Sequence, residues 1–347
     1  MRAEEKKRWM RRAFQLALLG AEKAAPNPLV GCVLIHREQG LIGEGWHRAF
    51  GQAHAEVNAI ASVKNPELIP GCTAILNLEP CSHYGKTPPC ASLLIEKKVG
   101  KVIISNTDPN PLVAGKGIAL LREAGIEVEY GILEGEGREL NRFFFTAQEK
   151  KRPYVTLKWA QSADGYLAAD NGNQVWISSP QSRLVVHKLR AEHQAIYAGR
   201  GTLRKDNPLL NLRQWPGRQP IRIVSDPALS LPQGLQLFSD PTAPVWIFNE
   251  SEESSSGNFR RLKCRASDDP ARLLEAMWQE GVHSVLVEGG AFLLQLFLEQ
   301  NLWDRALVFE GNAILNSGIP APRMEEGRKL QSGSCGPDRV FLYQNMS

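Results

Sequence analysis

Segments of helical and strand periodicity alternate through the first half of this chain, stop at the basic run Gln148-Glu149-Lys150-Lys151-Arg152-Pro153, and start afresh with the strand-like Tyr154–Trp159. A charged run that closes a helix, followed by proline and a new strand, marks a boundary between two folding units. At 347 residues the chain is longer than one ordinary hydrophobic core fills, so two domains are expected, 1–148 and 149–347.

In the first half the pattern predicts a helix up to Leu19, strands near Leu29–Ile35 and Leu41–Trp46, a helix from His54 to Val63 and a strand Thr73–Leu78. A helix from Cys90, a strand Lys101–Ser105, a helix Lys116–Ala124 and a strand Glu127–Tyr130 follow. In the second half, Ser179–Arg190 reads as a helix, Gln194–Ala198 and Ile221–Ser225 as strands, and Ser284–Val287 as a strand running into a helix Ala291–Leu298. Each half is thus α/β. The polar stretch Asn249–Asn258 reads as a surface loop, and no internal repeat is present.

With 43% hydrophobic and 22% charged residues, disorder is excluded. No apolar run is long enough for a bilayer, and the first residues lack the apolar stretch of a secretory signal, so a cytoplasmic protein with no membrane partner is expected. The net charge of +4 is scattered, and the one dense cluster, Glu4 to Arg12, mixes signs before an amphipathic helix. That argues against nucleic acid and suits an anionic small molecule.

Chemistry concentrates in His54-Ala55-Glu56, Pro80-Cys81 and Pro88-Pro89-Cys90. One imidazole and two thiolates suit zinc, and three protein ligands leave a fourth position for water, as in catalytic sites. Attack by that water needs a proton carrier, and Glu56, two residues from a ligand, is placed for the task. His-x-Glu with Pro-Cys is the signature of zinc nucleobase deaminases. A structural zinc would want a fourth ligand, which His83 could supply, but Glu56 would then have no role. Cys32, Cys72, Cys264 and Cys335 lack partners at metal spacing and read as core or surface thiols, and His36 and His47 read as structural.

The segments Pro26-Asn27-Pro28-Leu29-Val30-Gly31-Cys32-Val33, His54-Ala55-Glu56-Val57-Asn58-Ala59, Glu79-Pro80-Cys81-Ser82-His83-Tyr84-Gly85-Lys86-Thr87-Pro88-Pro89-Cys90 and Asp108-Pro109-Asn110-Pro111 resemble the deaminase of the bifunctional riboflavin-biosynthesis deaminase/reductase family. The long loop between the cysteines separates this family from deaminases with a short Pro-Cys-x-x-Cys. The resemblance implies a cytidine-deaminase-like three-layer α/β/α domain, one Zn²⁺ per chain on His54, Cys81 and Cys90, and a proton shuttle at Glu56. It also implies substrate contacts at Asn27, His83, Lys86, Asp108 and Asn110.

In the second half, Gly199-Arg200-Gly201-Thr202-Leu203-Arg204 lacks the third glycine of a dinucleotide fingerprint and reads as a tight turn. Leu286-Val287-Glu288-Gly289-Gly290, running into an apolar helix, is a better candidate phosphate site, although such strand-Gly-Gly-helix turns more often serve packing alone. Lys158 to Gly165, Trp176-Ile177-Ser178, Leu189-Arg190-Ala191, Gly201-Thr202-Leu203, Asp206 to Arg213 and Val287 to Gly290 occur in the order of that family's reductase, which resembles dihydrofolate reductase in fold. By this resemblance NADPH is held by Ala160, Trp176, Thr202, Asp206 and the turn and helix Gly290, Ala291, Phe292, Leu293, Leu294, Gln295 and Leu296. Gln174, Arg190, Leu210, Arg213 and Glu288 face the substrate, whose phosphate suits two guanidinium groups. Asp206 has an alternative reading as the cap of a turn before Pro208. Gln174 and Asp206-Asn207-Pro208 are small departures from the family pattern.

Two reactions are therefore expected on pyrimidine ribosyl phosphates: hydrolytic deamination of 2,5-diamino-6-ribosylamino-4(3H)-pyrimidinone 5′-phosphate, then NADPH-dependent reduction of the aminouracil to its ribityl form. The family implies a homodimer or larger assembly. The competing readings are a nucleic-acid or nucleoside deaminase with an unrelated second domain, a deaminase whose second domain is only a scaffold, and a zinc-stabilised binding protein.

Overall fold

In the computed structural model, which describes residues 1–82, 88–110, 113–170, 175–324 and 327–346, the chain divides into two units, Met1–Lys150 and Lys151–Ser347. The first unit runs α1 (Ala3–Leu18), β1 (Gly31–His36), β2 (Gly40–Trp46), α2 (Ala55–Ala61), β3 (Thr73–Leu78), α3 (Cys90–Glu96), β4 (Lys101–Asn106), α4 (Lys116–Glu123), β5 (Glu127–Tyr130), α5 (Glu134–Leu140) and α6 (Arg142–Lys150). Its sheet has the order β2-β1-β3-β4-β5, with β3, β4 and β5 parallel and β1 antiparallel to both its neighbours.

The two-residue period of the strands sorts this unit into layers. Val33, Ile35, Ile75 and Ile103 point to one face and pack against Met10, Ala13, Phe14 and Leu16 of α1. Cys32, Leu34, Ala74, Leu76, Val102 and Ile104 point to the other, where α2, α3 and α4 contribute Ala59, Ala91, Leu94, Ile118 and Leu121. Layers this close require glycine at the crossing point. A Cβ on Gly31 would lie 2.1 Å from the Ala13 carbonyl oxygen. The segment leading into β1 is pinned by two amides. Asn77 Oδ1 accepts from the Gly31 N–H at 2.7 Å, and Asn141 Oδ1 accepts from the Leu29 N–H at 2.8 Å. Both side-chain NH₂ groups donate to the Leu29 carbonyl.

The second unit is built on a ten-stranded sheet. In spatial order its strands are Ser254–Ser256, Phe259–Lys263, Val245–Asn249, Ile221–Ser225, Ala195–Tyr197, Ser284–Glu288, Tyr154–Gln161, Arg305–Glu310, Asp338–Gln344 and Arg328–Cys335. The strands from Phe259–Lys263 to Arg305–Glu310 are parallel, and antiparallel strands finish both edges. Parallel strands are covered on both faces, as Val285 and Val287 show by packing with Leu273, Met277 and Phe297. Leu286 and Ile196 point the opposite way, towards Leu203 and Leu210.

Two local expectations differ from the structure. Gly199–Arg204 is not a turn: Gly199 caps a helix, Arg200–Asp206, which ends where Asn207 enters the left-handed region at φ 42°. Residues 249–258 include an exposed edge strand, Ser254–Ser256, because the Gly257-Asn258 pair makes a two-residue hairpin onto Phe259–Lys263. No helix among the described residues is long and apolar enough to cross a membrane.

Gly31→Ala is expected to destabilise the first unit by about 1–3 kcal/mol, because the methyl group meets a backbone carbonyl that cannot rotate away. Urea denaturation followed by tryptophan fluorescence would register this, and an unchanged midpoint would show that α1 and β1 can separate at little cost.

Candidate active sites

Three elements of the first unit converge at the carboxyl end of β3. His54 caps α2 from an extended conformation, Cys81 follows β3, and Cys90 opens α3 behind Pro89. His54 Nδ1 lies 3.6 Å from Cys81 Sγ and 3.3 Å from Cys90 Sγ, and all three donor atoms lie within 4.8 Å of one another. Tetrahedral zinc, with bonds of about 2.3 Å to sulfur and 2.05 Å to nitrogen, sets those atoms about 3.6 Å apart. The donor set and its spacing therefore fit zinc, and no fourth side chain of a metal-binding type joins the group among the described residues.

The Cys90 N–H, at the start of α3, donates to Cys81 Sγ at 3.3 Å. Hydrogen bonding from the Cys90 thiol, from His54 and from this N–H pulls Cys81 well below the ordinary thiol range. Cys90 is pushed up because it is the donor to Cys81, and also by burial and by the nearby Glu56.

Glu56 lies in the first turn of α2 and is only 3% exposed. Burial, then the negative sulfur of Cys81, raises its carboxyl above the ordinary range. A carboxyl held in this way beside a metal site has its protonated form favoured, which suits a group that takes up and returns a proton.

Asn27 reaches the site through His47. Its Nδ2 lies 3.1 Å from His47 Nε2, and the His47 ring stands edge-on to that of His54 at 5.6 Å. The structural reading of His47 thus holds, but the group it supports is the metal ligand. Asp108 and Asn110 sit together on the loop after β4, where Asp108 Oδ1 accepts the Asn110 N–H at 2.8 Å. That loop is tied to Cys81 by Glu79, a buried carboxylate to which sequence reasoning gave no role. It accepts four backbone N–H groups, from Asp108, Gly115, Gly117 and Ile118, at 3.0–3.2 Å. His83 and Lys86 lie outside the described residues.

In the second unit the neighbouring strands Ala195–Tyr197 and Ser284–Glu288 are each followed within two residues by a glycine and feed helices, Arg200–Asp206 and Ala291–Glu299. Thr202 and Gly290 meet here: a Cβ on Gly290 would lie 3.5 Å from Thr202 Oγ1. Along Gly290–Leu296 the side chains diverge. Leu294 is core, Phe292 is 82% exposed, and Ala291, Phe292, Gln295 and Leu296 line a groove with residues 320–323. Only the backbone at the start of the helix is common ground for a ligand. Ala160 lies near the end of its strand, Trp176 is exposed with the Arg183 guanidinium 4.7 Å above its ring, and Asp206 is exposed at its helix end.

Glu288 ends the Ser284–Glu288 strand and is clasped by Arg190, with Nε to Oε1 at 2.6 Å and Nη2 to Oε2 at 3.0 Å. Lys158, whose role the sequence left unread, approaches the same carboxylate at 3.8 Å. Burial raises the Glu288 carboxyl, but Arg190 and Lys158 outweigh it and bring it down to about 2. His187, one turn before Arg190, is held down to about 4 by burial and by the charges of Arg190 and Arg213. Arg213 Nη1 donates to Asn211 Oδ1 at 3.2 Å. Leu210 is buried with φ 51°, so its backbone is what it can offer a ligand. Gln174 lies outside the described residues.

Two family models match the chain: the cytidine and deoxycytidylate deaminase zinc-binding region over residues 3–106, and the RibD C-terminal domain over residues 153–328. The riboflavin biosynthesis protein RibD of Bacillus amyloliquefaciens is 39% identical over 347 residues, covering 96% of this chain and 91% of the relative. The Aquifex aeolicus protein of that name is 37% identical, covering 97% of this chain and 98% of its own. Among solved structures, Acinetobacter baumannii RibD superposes with a TM-score of 0.88 at 33% identity over 100% of both chains. A Thermotoga maritima diaminohydroxyphosphoribosylaminopyrimidine deaminase/5-amino-6-(5-phosphoribosylamino)uracil reductase gives the same score and identity over 99% of each. The first unit is therefore cytidine-deaminase-like with a zinc-binding His54–Cys81–Cys90 site, and the second has the dihydrofolate-reductase-like fold.

Cys90→Ala is expected to leave the protein with almost no zinc after dialysis, against one equivalent in the parent, by atomic absorption; retention of a full equivalent would mean that other residues hold the metal. Glu288 has its folded-state value depressed below the unfolded one, so its contribution to stability is complete above pH ~4.5 and fades as pH falls towards ~2. Glu288→Gln should accordingly be less stable than the parent at pH 7, with the gap closing below pH ~4.5 in denaturation measured across that range. A gap independent of pH would mean that the ion pairs are not its source.

Proposed function

The chain belongs to the RibD family, whose deaminase and reductase activities serve riboflavin biosynthesis, and on that premise we propose how its residues divide the two reactions. Residues 1–148 carry the deaminase and 149–347 the reductase. The deaminase substrate is 2,5-diamino-6-ribosylamino-4(3H)-pyrimidinone 5′-phosphate, contacted by Asn27, His83, Lys86, Asp108 and Asn110. Zinc on His54, Cys81 and Cys90, when bound, supplies Lewis acidity to a water. Glu56 takes the proton that this water loses and passes it to the departing amine, which leaves as ammonia. The observation that carries this reading is a buried, upward-shifted carboxyl in the same helical turn as a metal-ligand imidazole.

In the reductase, bound NADPH would supply the hydride that, with one proton from water for the ring oxygen, converts the ribosylamino group into the open ribityl chain. Thr202 and the backbone of Gly290 support the cofactor's phosphates, with Ala160, Trp176, Asp206 and the remaining residues to Leu296 beside them. Arg190 and Arg213 face the substrate phosphate, with Leu210, Gln174 and Glu288 around it. Arg190 and Arg213 set two guanidinium groups against the one carboxylate of Glu288, with Lys158, whose charged form burial disfavours, beside it. Two guanidinium groups suit a phosphate monoester. A cytoplasmic homodimer or larger assembly completes the reading, on the family resemblance.

Zinc-loaded protein given the diaminopyrimidine ribosyl phosphate and NADPH should release ammonia and lose absorbance at the nicotinamide band. Glu56→Ala should cut ammonia release by roughly 10²–10⁴-fold while still oxidising NADPH on pre-deaminated substrate. Full ammonia release by that variant would remove Glu56 from the proton path, and absence of NADPH oxidation in the parent would reduce the second unit to a scaffold.

A further inference from the structure

The arginines read above as phosphate ligands are joined by one residue that neither the sequence reading nor the comparisons single out. Asn211 offers its carbonyl oxygen to Arg190 Nη1 at 3.1 Å and its side-chain Oδ1 to Arg213 Nη1 at 3.2 Å. Two oxygens of a single residue thereby tether two cations that lie on different elements. Asn211 is itself 8% exposed and held from behind, with Nδ2 donating to Asp240 Oδ2 at 2.7 Å.

Asp240 in turn is fixed by Arg222, a fully buried arginine in the middle of the sheet. Arg222 Nη1 bonds Asp240 Oδ2 at 3.1 Å and the Leu209 carbonyl at 3.3 Å, and its Nη2 bonds the carbonyls of Asp240, at 2.7 Å, and Ala243. On the far side Gln219 clamps the backbone of Leu212, donating to its carbonyl at 2.6 Å and accepting from its N–H at 2.8 Å. The chain is thus gripped at 209, 211 and 212, and Leu210 between them is in the left-handed region with its side chain in the core. A buried arginine in a strand carries a large desolvation cost, and apolar residues of the same volume commonly serve stability as well or better. What the ionic arrangement adds is a fixed place for Asn211.

We propose that Asn211, backed by Asp240 and Arg222, is a positioning residue of the reductase, which holds Arg190 and Arg213 at the separation needed to grip a phosphate monoester. This rests on the reading that those two arginines face the substrate phosphate. Two cations left to the conformations of long side chains would have to be ordered by each arriving substrate, whereas tethered ones are ordered in advance. The effect should therefore fall on substrate affinity and spare the hydride step.

The test uses full-length, zinc-loaded protein, with reductase kinetics on the pre-deaminated ribosyl phosphate and ribose 5-phosphate as a competitive probe. Asn211→Ala should raise KM, and the inhibition constant of ribose 5-phosphate, about tenfold, the loss expected for one hydrogen bond to a charged group. kcat should stay within about twofold and ammonia release should be unchanged. In an Arg213→Ala background the same substitution should add little, because the group it acts through is gone. Asn211→Asp keeps the volume and an acceptor for Arg213 but sets a carboxylate against Asp240; it should raise KM likewise, and it serves if the alanine variant fails to fold. Unchanged KM and inhibition constants in these variants, or an undiminished effect in the Arg213→Ala background, would overturn the proposal alone. If Arg213→Ala itself binds substrate and ribose 5-phosphate normally, the phosphate reading falls and the proposal with it.

Discussion

A carboxylate at the end of a buried parallel strand has to be compensated, and both units of this chain are organised around one. Glu79 follows β3 and Glu288 ends the Ser284–Glu288 strand, and both are largely removed from water. An uncompensated charge in such a place costs several kcal/mol, so each carboxylate dictates what must surround it. Glu79 is met by four backbone N–H groups of the loop after β4 and the start of α4. These neutral partners carry no charge into the neighbouring site. Glu288 is met by Arg190 and Lys158, whose charges exceed its own. The first solution locks a loop beside the metal ligands. The second gathers basic side chains at a strand end, which is what the proposed phosphate site draws on.

The same strand ends explain why the functional groups gather where they do. In a parallel sheet the carboxyl ends of the strands open onto loops and helix starts, and ligands bind there. His54, Cys81 and Cys90 come from three separate stretches, two at helix starts and one just past a strand, and they meet because β1 and β3 pair and α2 and α3 pack on one face. The cysteine spacing in sequence is incidental to that meeting. The donor distances of 3.3 and 3.6 Å are set by the packing of whole elements.

Much of this was legible in the sequence, for a physical reason. Strand and helix periods in the first unit follow directly from the alternation of Cys32, Val33, Leu34 and Ile35, and metal chemistry restricts the residue types that can hold zinc so tightly that His54, Cys81 and Cys90 identify themselves. The illegible part is compensation between distant residues. Glu79 sits in the same tripeptide as Cys81, yet its partners lie 29 to 39 residues away. Lys158 is separated from Glu288 by most of the unit, and Asn211 reads as one polar residue in a loop until its three bonding partners are seen. The Gly199–Arg204 segment misled for a related reason. Two glycines suggest a turn, but Leu203 packs into the core from a seven-residue helix that local propensity does not favour.

The two units also differ in how their ionisable groups behave before a ligand binds. At the metal site the charge is shared: Cys81 is pulled towards thiolate by the Cys90 thiol, and Cys90 is pushed the other way by the same contact. Zinc is held by thiolates, so its binding displaces whatever protons the two cysteines carry. At the arginine site nothing has to leave. Arg190 is already engaged by Glu288, His187 stays neutral in the field of Arg190 and Arg213, and the surplus charge is fixed by residues that do not titrate near neutrality. Cation uptake in the first unit is therefore inherently coupled to proton release and weakens in acid. On the reading that Arg190 and Arg213 face a phosphate, anion capture in the second should change with pH mainly where the ligand's own phosphate changes protonation, so the two sites owe their pH dependence to different groups.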